Sequence, residues 1–119
     1  MNGLSKNERL SSKIKIEKLF EEKNTFVHED IKVYWNIVNS ENDNIAVLFS
    51  VPKKIVPLAN KRNKIKRLLR ESYRIHKSIL NHHKLELNLG FICLSSNFDD
   101  MNKIEEKIKL ILHRLNQEI

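Results

Sequence analysis

The chain has two glycines, two prolines and one cysteine among its 119 residues. So little glycine and proline leaves no flexible linker and no Gly-rich loop to cradle a nucleotide phosphate. Low-complexity segments and internal repeats are also missing. A single cysteine, Cys93, can form neither an internal disulfide nor a thiolate zinc cluster. Its apolar neighbours Phe91, Ile92 and Leu94 point to a buried thiol and a reducing compartment. No apolar run reaches the length of a membrane span, and the N-terminus lacks the apolar core of a signal peptide. The histidines His28, His76, His82, His83 and His113 form no H-x-H or H-x-x-x-H pair. Acids come as the adjacent pairs Glu29-Asp30 and Asp99-Asp100, whereas a two-metal nuclease needs carboxylates converging from several elements. No G-x-S-x-G or Cys/His nucleophile arrangement stands out. The chain is read as doing no bond chemistry alone.

Acid is missing from one place in particular. Between Pro52 and Lys77 stand ten of the 22 Lys and Arg but only one of the 15 acids, Glu71, a net of +9, while the rest of the chain nets −2. The overall +7 and the pI near 9.6 therefore come from one basic segment on a near-neutral body. Such a localised field is the footprint of a polyanion binder. Ala59 to Lys77 has no Gly or Pro and repeats apolar residues at helical spacing. On a helical wheel Ile65, Leu68, Leu69, Ser72, His76, Ile79 and Leu80 gather on one side. Asn63, Lys66, Arg67, Arg70, Arg74 and Lys77 fall within an arc of roughly 100° on the other. Five cations on one face repel each other unless an anion lies along it, and the acids of an ordinary solvated face are missing here. Arginine adds a planar fork that grips two phosphate oxygens or stacks on a base.

The remaining chain has room for one modest core, and 40% hydrophobic residues support a folded domain despite 31% charge. Residues 1–10 are read as a mobile N-terminus of a single domain spanning 1–119. A short amphipathic helix is expected from Ser12 to Lys23, capped by Ser11 or Ser12, with Ile16 and Phe20 on one face. From Phe26 to Val38, Ile31, Val33, Trp35 and Ile37 alternate with Lys32, Tyr34 and Asn36. The first set is expected to face the core and Tyr34 the opposite face, with His28-Glu29-Asp30 breaking the run into two strands. Ser40 to Asn44 reads as a hairpin turn. Ile45 to Val51 is almost wholly apolar and reads as a central strand buried on both faces. Pro52 ends it, Pro57 favours the first turn of the basic helix, and Asn60 is the expected cap. That helix should run to Leu80, followed by a polar break at Asn81-His82-His83-Lys84. A strand over Leu85 to Ser95 and a second long helix over Met101 to Leu115 close the chain. Asp99-Asp100 supplies the negative start of the last helix.

The pattern Ala59, Arg62-Asn63, Lys66-Arg67, Arg70-Glu71, preceded by Ser50-Val51-Pro52-Lys53-Lys54, resembles the signature helix and preceding strand end of the bacterial ribonuclease P protein subunit. Its fixed internal spacing is far more specific than a basic run, and the order of elements fits over most of the chain. The resemblance implies an α+β fold, α-β-β-β-α-β-α, with a four-stranded mixed sheet like that of the second domain of ribosomal protein S5. It also implies a left-handed βαβ crossover around the basic helix, where the default hand is right.

The resemblance further implies the protein subunit of a ribonucleoprotein whose RNA is the ribozyme. Its partners are then the catalytic RNA and the 5′ leader of precursor tRNA, it has no membrane partner, and it works in the cytoplasm. Mg²⁺ is needed by the holoenzyme and carried mainly by the RNA, with none bound by the isolated protein. Lys53, Lys54, Arg62, Asn63, Lys64, Lys66, Arg67, Arg70 and Arg74 become expected contacts to the catalytic RNA. Ile16, Phe20 and Tyr34 become expected contacts to the leader. Three positions depart from the family pattern. Ile16 replaces a usual aromatic, Lys64 stands where Arg is common, and the turn near Asn24 lacks the usual Gly. Asn tolerates a left-handed conformation.

Other classes fit less well. A general RNA- or ribosome-binding protein would use the same helix without a ribozyme partner. A DNA-binding regulator would need a helix just before its reader, where this chain has a strand. A membrane-surface helix would need the apolar side that the core consumes, and Trp anchors.

Overall fold

A computed structural model describes residues 4–22, 24–38, 43–80, 85–98 and 100–119. Its elements are α1 (Lys13–Glu21), β1 (Thr25–His28), β2 (Ile31–Val38), β3 (Asn44–Ser50), α2 (Ala59–His76), β4 (Glu86–Cys93) and α3 (Met101–Glu118). A 3₁₀ turn at Lys6–Glu8 precedes α1, and another at Lys77–Leu80 prolongs α2. Residues 39–42 of the expected turn, the break at Asn81–Lys84, Asp99 and the expected helix end at Lys23 lie outside the described residues, but β2 and β3 do not pair, so the expected hairpin between them is not formed.

The four strands form one mixed sheet in the order β1-β2-β4-β3. β1 and β2 are an antiparallel hairpin, β2 and β4 are antiparallel, and β3 and β4 are parallel. Three helices complete an α+β domain. Asn24, in the turn before β1, is not left-handed; among the described non-glycine residues Glu29, in the β1–β2 turn, is the one with positive φ, at 51°. Asn24 instead accepts a hydrogen bond from the Trp35 N–H at 3.0 Å.

Alternation along the strands assigns the faces. Ile31, Val33, Val47, Phe49, Leu87, Leu89, Phe91 and Cys93 enter the main core with α2 and α3. Five α3 residues, Ile104, Ile108, Ile111, Leu112 and Leu115, are fully buried there. The expected core face of β2 fades at its end, since Ile37 is exposed. On the opposite face Leu10, Leu19 and Ala46 form a smaller cluster joined by Ile16, Tyr34 and Leu48. The helix α1 packs on this second face. Gly90 lets it approach closely, because a Cβ there would stand 3.0 Å from Leu19 Cδ2.

The structure corrects three expectations. First, β3 is an edge strand, and the interior strands are β2 and β4. β3 is apolar because both faces are covered, not because strands flank it on both sides. Second, the N-terminus is packed from Leu4 onward. Leu4 and Leu10 are buried, Arg9 bridges Val47, and the Leu10 N–H donates to the Val47 carbonyl at 3.0 Å. This segment covers part of the β3 edge that would otherwise stay open. Third, the N-cap of α2 is Leu58, which offers no side-chain cap, and Asn60 sits within the first turn. The remaining cap assignments hold: Ser12 accepts from the Lys15 N–H and Asp100 from the Asn102 N–H.

Candidate nucleic-acid interface

The basic helix buries Ile65, Leu69, Ser72 and Tyr73 against the core. Tyr73, absent from the expected apolar side, is among the largest fully buried side chains and meets Phe49 edge-on at 5.9 Å between centroids. Burial first, and the Glu8 charge second, push its phenol above the usual tyrosine range. Ser72 Oγ and His76 Nε2 are buried without a hydrogen-bond partner.

The outward cations divide into three groups. Arg74 forks onto Glu71, and this hydrogen bond holds the Glu71 carboxyl below, and the Arg74 guanidinium above, their usual ranges. Lys77 is bonded to Glu8. Burial alone would raise the Glu8 carboxyl, but the hydrogen bonds from Lys77 and Ser5 outweigh it and hold the group low. Arg62 turns back to the helix start, where Nη1 donates to the carbonyls of Val56 at 3.0 Å and Pro57 at 2.7 Å. It ties α2 to the turn before it.

The third group has no acid within ion-pair distance among the described residues. It comprises Lys61, Lys64, Lys66, Arg67 and Arg70 on α2, with Lys53 and Lys54 exposed in the turn after β3. Asn63 is exposed beside them. A row of unpaired cations with solvated heads is an anion-binding face whose counterions a polyanion displaces.

The second site lies under α1. Phe20, 38% exposed, meets Tyr34 edge-on at 4.8 Å and 87°. Four residues earlier on α1, Ile16 packs into the smaller cluster beside Tyr34. Lys32, which the sequence reading left out of the site, holds its Nζ 5.1 Å from the Tyr34 ring centroid. Its signal was available, because residues two apart on a strand share a face. Aromatic faces with a cation beside them suit single-stranded RNA, whose bases stack and whose phosphates need neutralising.

Beyond Ile16 the same sheet face runs into an open cleft of about 520 Å³, between the N-terminal segment, the start of α1 and the first residues of β3 and β4. Mg²⁺ requires near-octahedral oxygen ligands, and among the described residues no three His, Cys, Asp or Glu side chains gather to hold an ion. No helix among the described residues is long and apolar enough to cross a membrane.

Comparison with known proteins adds to this geometry. The sequence profile of the family described as Ribonuclease P matches residues 4–116. The "Ribonuclease P protein component" of Porphyromonas gingivalis is 32% identical over 118 residues, covering 95% of this chain and 86% of that protein. The solved RNase P protein of Staphylococcus aureus superposes with a TM-score of 0.75 at 25% identity, covering 92% of this chain and 96% of that one. The RNase P protein of Thermotoga maritima superposes at 0.73 with 26% identity, covering 90% and 96%. A basic signature helix bearing a row of cations unpaired among the described residues, an aromatic cleft on the far face of the sheet and these matches across nearly the whole chain lead to one assignment: the chain belongs to the ribonuclease P protein component family.

Proposed function

We propose that this protein is the RNA-binding, non-catalytic subunit of a ribonuclease P ribonucleoprotein that removes the 5′ leader from precursor tRNA. The observation that carries the proposal is the unpaired cationic row of α2, set apart from Arg74 and Lys77, which are tied to acids, and from Arg62, which is tied to carbonyls. Lys53, Lys54, Asn63, Lys64, Lys66, Arg67 and Arg70 contact the catalytic RNA through its backbone, as suits structured RNA recognised by shape. Phe20 and Tyr34, with Lys32 and Ile16, hold the single-stranded leader. Arg62 and Arg74 act mainly by fixing the helix that carries the row. The RNA supplies the chemistry and carries the Mg²⁺, and the protein's contribution is binding energy and alignment. The work is done in the cytoplasm, in keeping with a buried free thiol at Cys93.

The test is cleavage of precursor tRNA at low Mg²⁺ by the cognate catalytic RNA, with and without the protein. Cleavage at the mature 5′ end that requires both components is the expected result. If the RNA gains nothing while the protein still binds many RNAs, it is a general RNA-binding protein. Cleavage by the protein alone would overturn the non-catalytic assignment.

A further inference from the structure

The cleft beyond Ile16 has a chemistry unlike that of the aromatic site. Its floor is Asn88 on β4 with Ala46 beside it on β3. Asn88 is 3% exposed, and its cross-strand partner Asn36 is 8% exposed with Oδ1 buried and unpartnered. One wall is Glu86, whose side chain is 14% exposed and whose carboxylate lies 4.0 Å from Lys15 Nζ. The other side carries Lys6 and Arg9, neither within ion-pair distance of an acid among the described residues. The Glu86 carboxylate, largely withdrawn from water with Lys15 at 4.0 Å as its only ion-pair partner among the described residues, is costly to bury unless a ligand adds a donor.

The row Asn36–Asn88–Ala46 is the next one along the same sheet face from Tyr34–Gly90–Leu48. Two residues along a strand is about 7 Å, so neighbouring nucleotides of one strand reach both rows. The lining suits a nucleotide: Lys6 and Arg9 are placed for its phosphates, Glu86 and Asn88 for its base, and Asp43 is the second acid of the cleft.

We propose that this cleft is a single-nucleotide subsite that selects bases carrying an exocyclic amino group over uracil. Glu86 is an acceptor only, and it takes N–H donors of the kind that cytosine N4 presents. Uracil presents a carbonyl at the same position, which the carboxylate repels. Asn88 supplies the complementary amide for the neighbouring ring atom. The inference rests on the single-stranded RNA binding proposed above and names a base preference within it.

Cytosine and uracil share a ring size and differ at this group, so they isolate it. The experiment measures binding of the full chain to fluorescein-labelled rC10 and rU10 by anisotropy at neutral pH. Expected is a preference for rC10 of about fivefold or more, collapsing to within about twofold in Glu86→Gln, because a glutamine amide also donates to a carbonyl. A melting curve of the variant close to that of the wild type confirms its fold. Arg9→Ala is expected to weaken both oligomers alike while leaving the preference intact. Equal binding of the two by the wild type, or a preference that survives Glu86→Gln, overturns the subsite and leaves the leader-binding reading standing. Failure of the wild type to bind either oligomer overturns both.

Discussion

Arg62 and Arg67 occupy the same basic helix but hold different positions, and replacing each with alanine should separate anchoring from RNA contact. Arg62 gives its Nη1 to two backbone carbonyls at the helix start. A hydrogen bond from a charged donor contributes about 1.5–3 kcal/mol. Both bonds here share one nitrogen, and the one to Pro57 is exposed. Arg62→Ala should therefore cost about 1.5–2 kcal/mol, at the low end of that range. For a domain of this size each kcal/mol lowers the melting temperature by about 3–6 °C, so a fall of about 5–10 °C is expected. Arg67 is exposed and pairs with no acid among the described residues, so Arg67→Ala should leave the melt near that of the wild type. It should instead reduce the slope of log K against log salt for the catalytic RNA by about 0.7–0.9, one phosphate's share. Thermal melts and filter binding across a salt series read the two effects independently. An Arg62→Ala protein that melts with the wild type and loses slope as Arg67→Ala does would refute the anchoring argument.

Phe20→Ala should weaken binding of leader-bearing precursor by roughly 1–3 kcal/mol, the range for a stacked base, with little effect on mature tRNA. Equal losses on both RNAs would assign Phe20 to packing instead. Gly90→Ala should destabilise by about 1–3 kcal/mol, because its Cβ must displace the fully buried Leu19; a denaturant midpoint equal to that of the wild type would sink this. Tyr73 makes stability depend on alkaline pH. Its folded phenol is held above the ordinary value, so above about pH 10 the unfolded chain ionises first and stability falls as pH rises, by up to about 1.4 kcal/mol per pH unit. Tyr73→Phe removes that component. Urea melts at about pH 9 and 11 should show the alkaline loss smaller in the variant, and an identical loss would contradict the burial of the phenol.

Much of this fold can be read from periodicity, and the misreadings share a cause. α3 is legible because its inward residues recur every three or four positions and each is fully buried. Apolar runs report covered faces and say nothing of strand neighbours. Ile45 to Val51 therefore suggests a central strand, although β3 lies at the edge under α1 and the N-terminal segment on one side and α2 on the other. Tyr73 escapes a hydropathy reading because its hydroxyl and basic neighbours disguise a ring buried to 1% exposure. At the RNA surface, spacing finds the cations but not their partners. Only the three-dimensional arrangement brings Glu8 to Lys77 across 69 residues and turns Arg62 back onto carbonyls. The floor of the cleft is hidden for the same reason, since Ala46 and Asn88 become neighbours only through strand register.

The strand order also bears on how the chain acquires its shape. β2 and β3 follow one another closely in sequence, yet β4, made some forty residues later, lies between them. During synthesis from the N-terminus the ribosome releases β1, β2 and β3 first; β2 has β1 as its native partner on one edge, but its other edge and β3 have no native pairing with each other. Their immediate partner in time is each other, and that hairpin must stay open or be undone before β4 can enter. The slow step of folding is then the arrival of the last strand, and until it arrives two strand edges are open to pairing with other nascent chains.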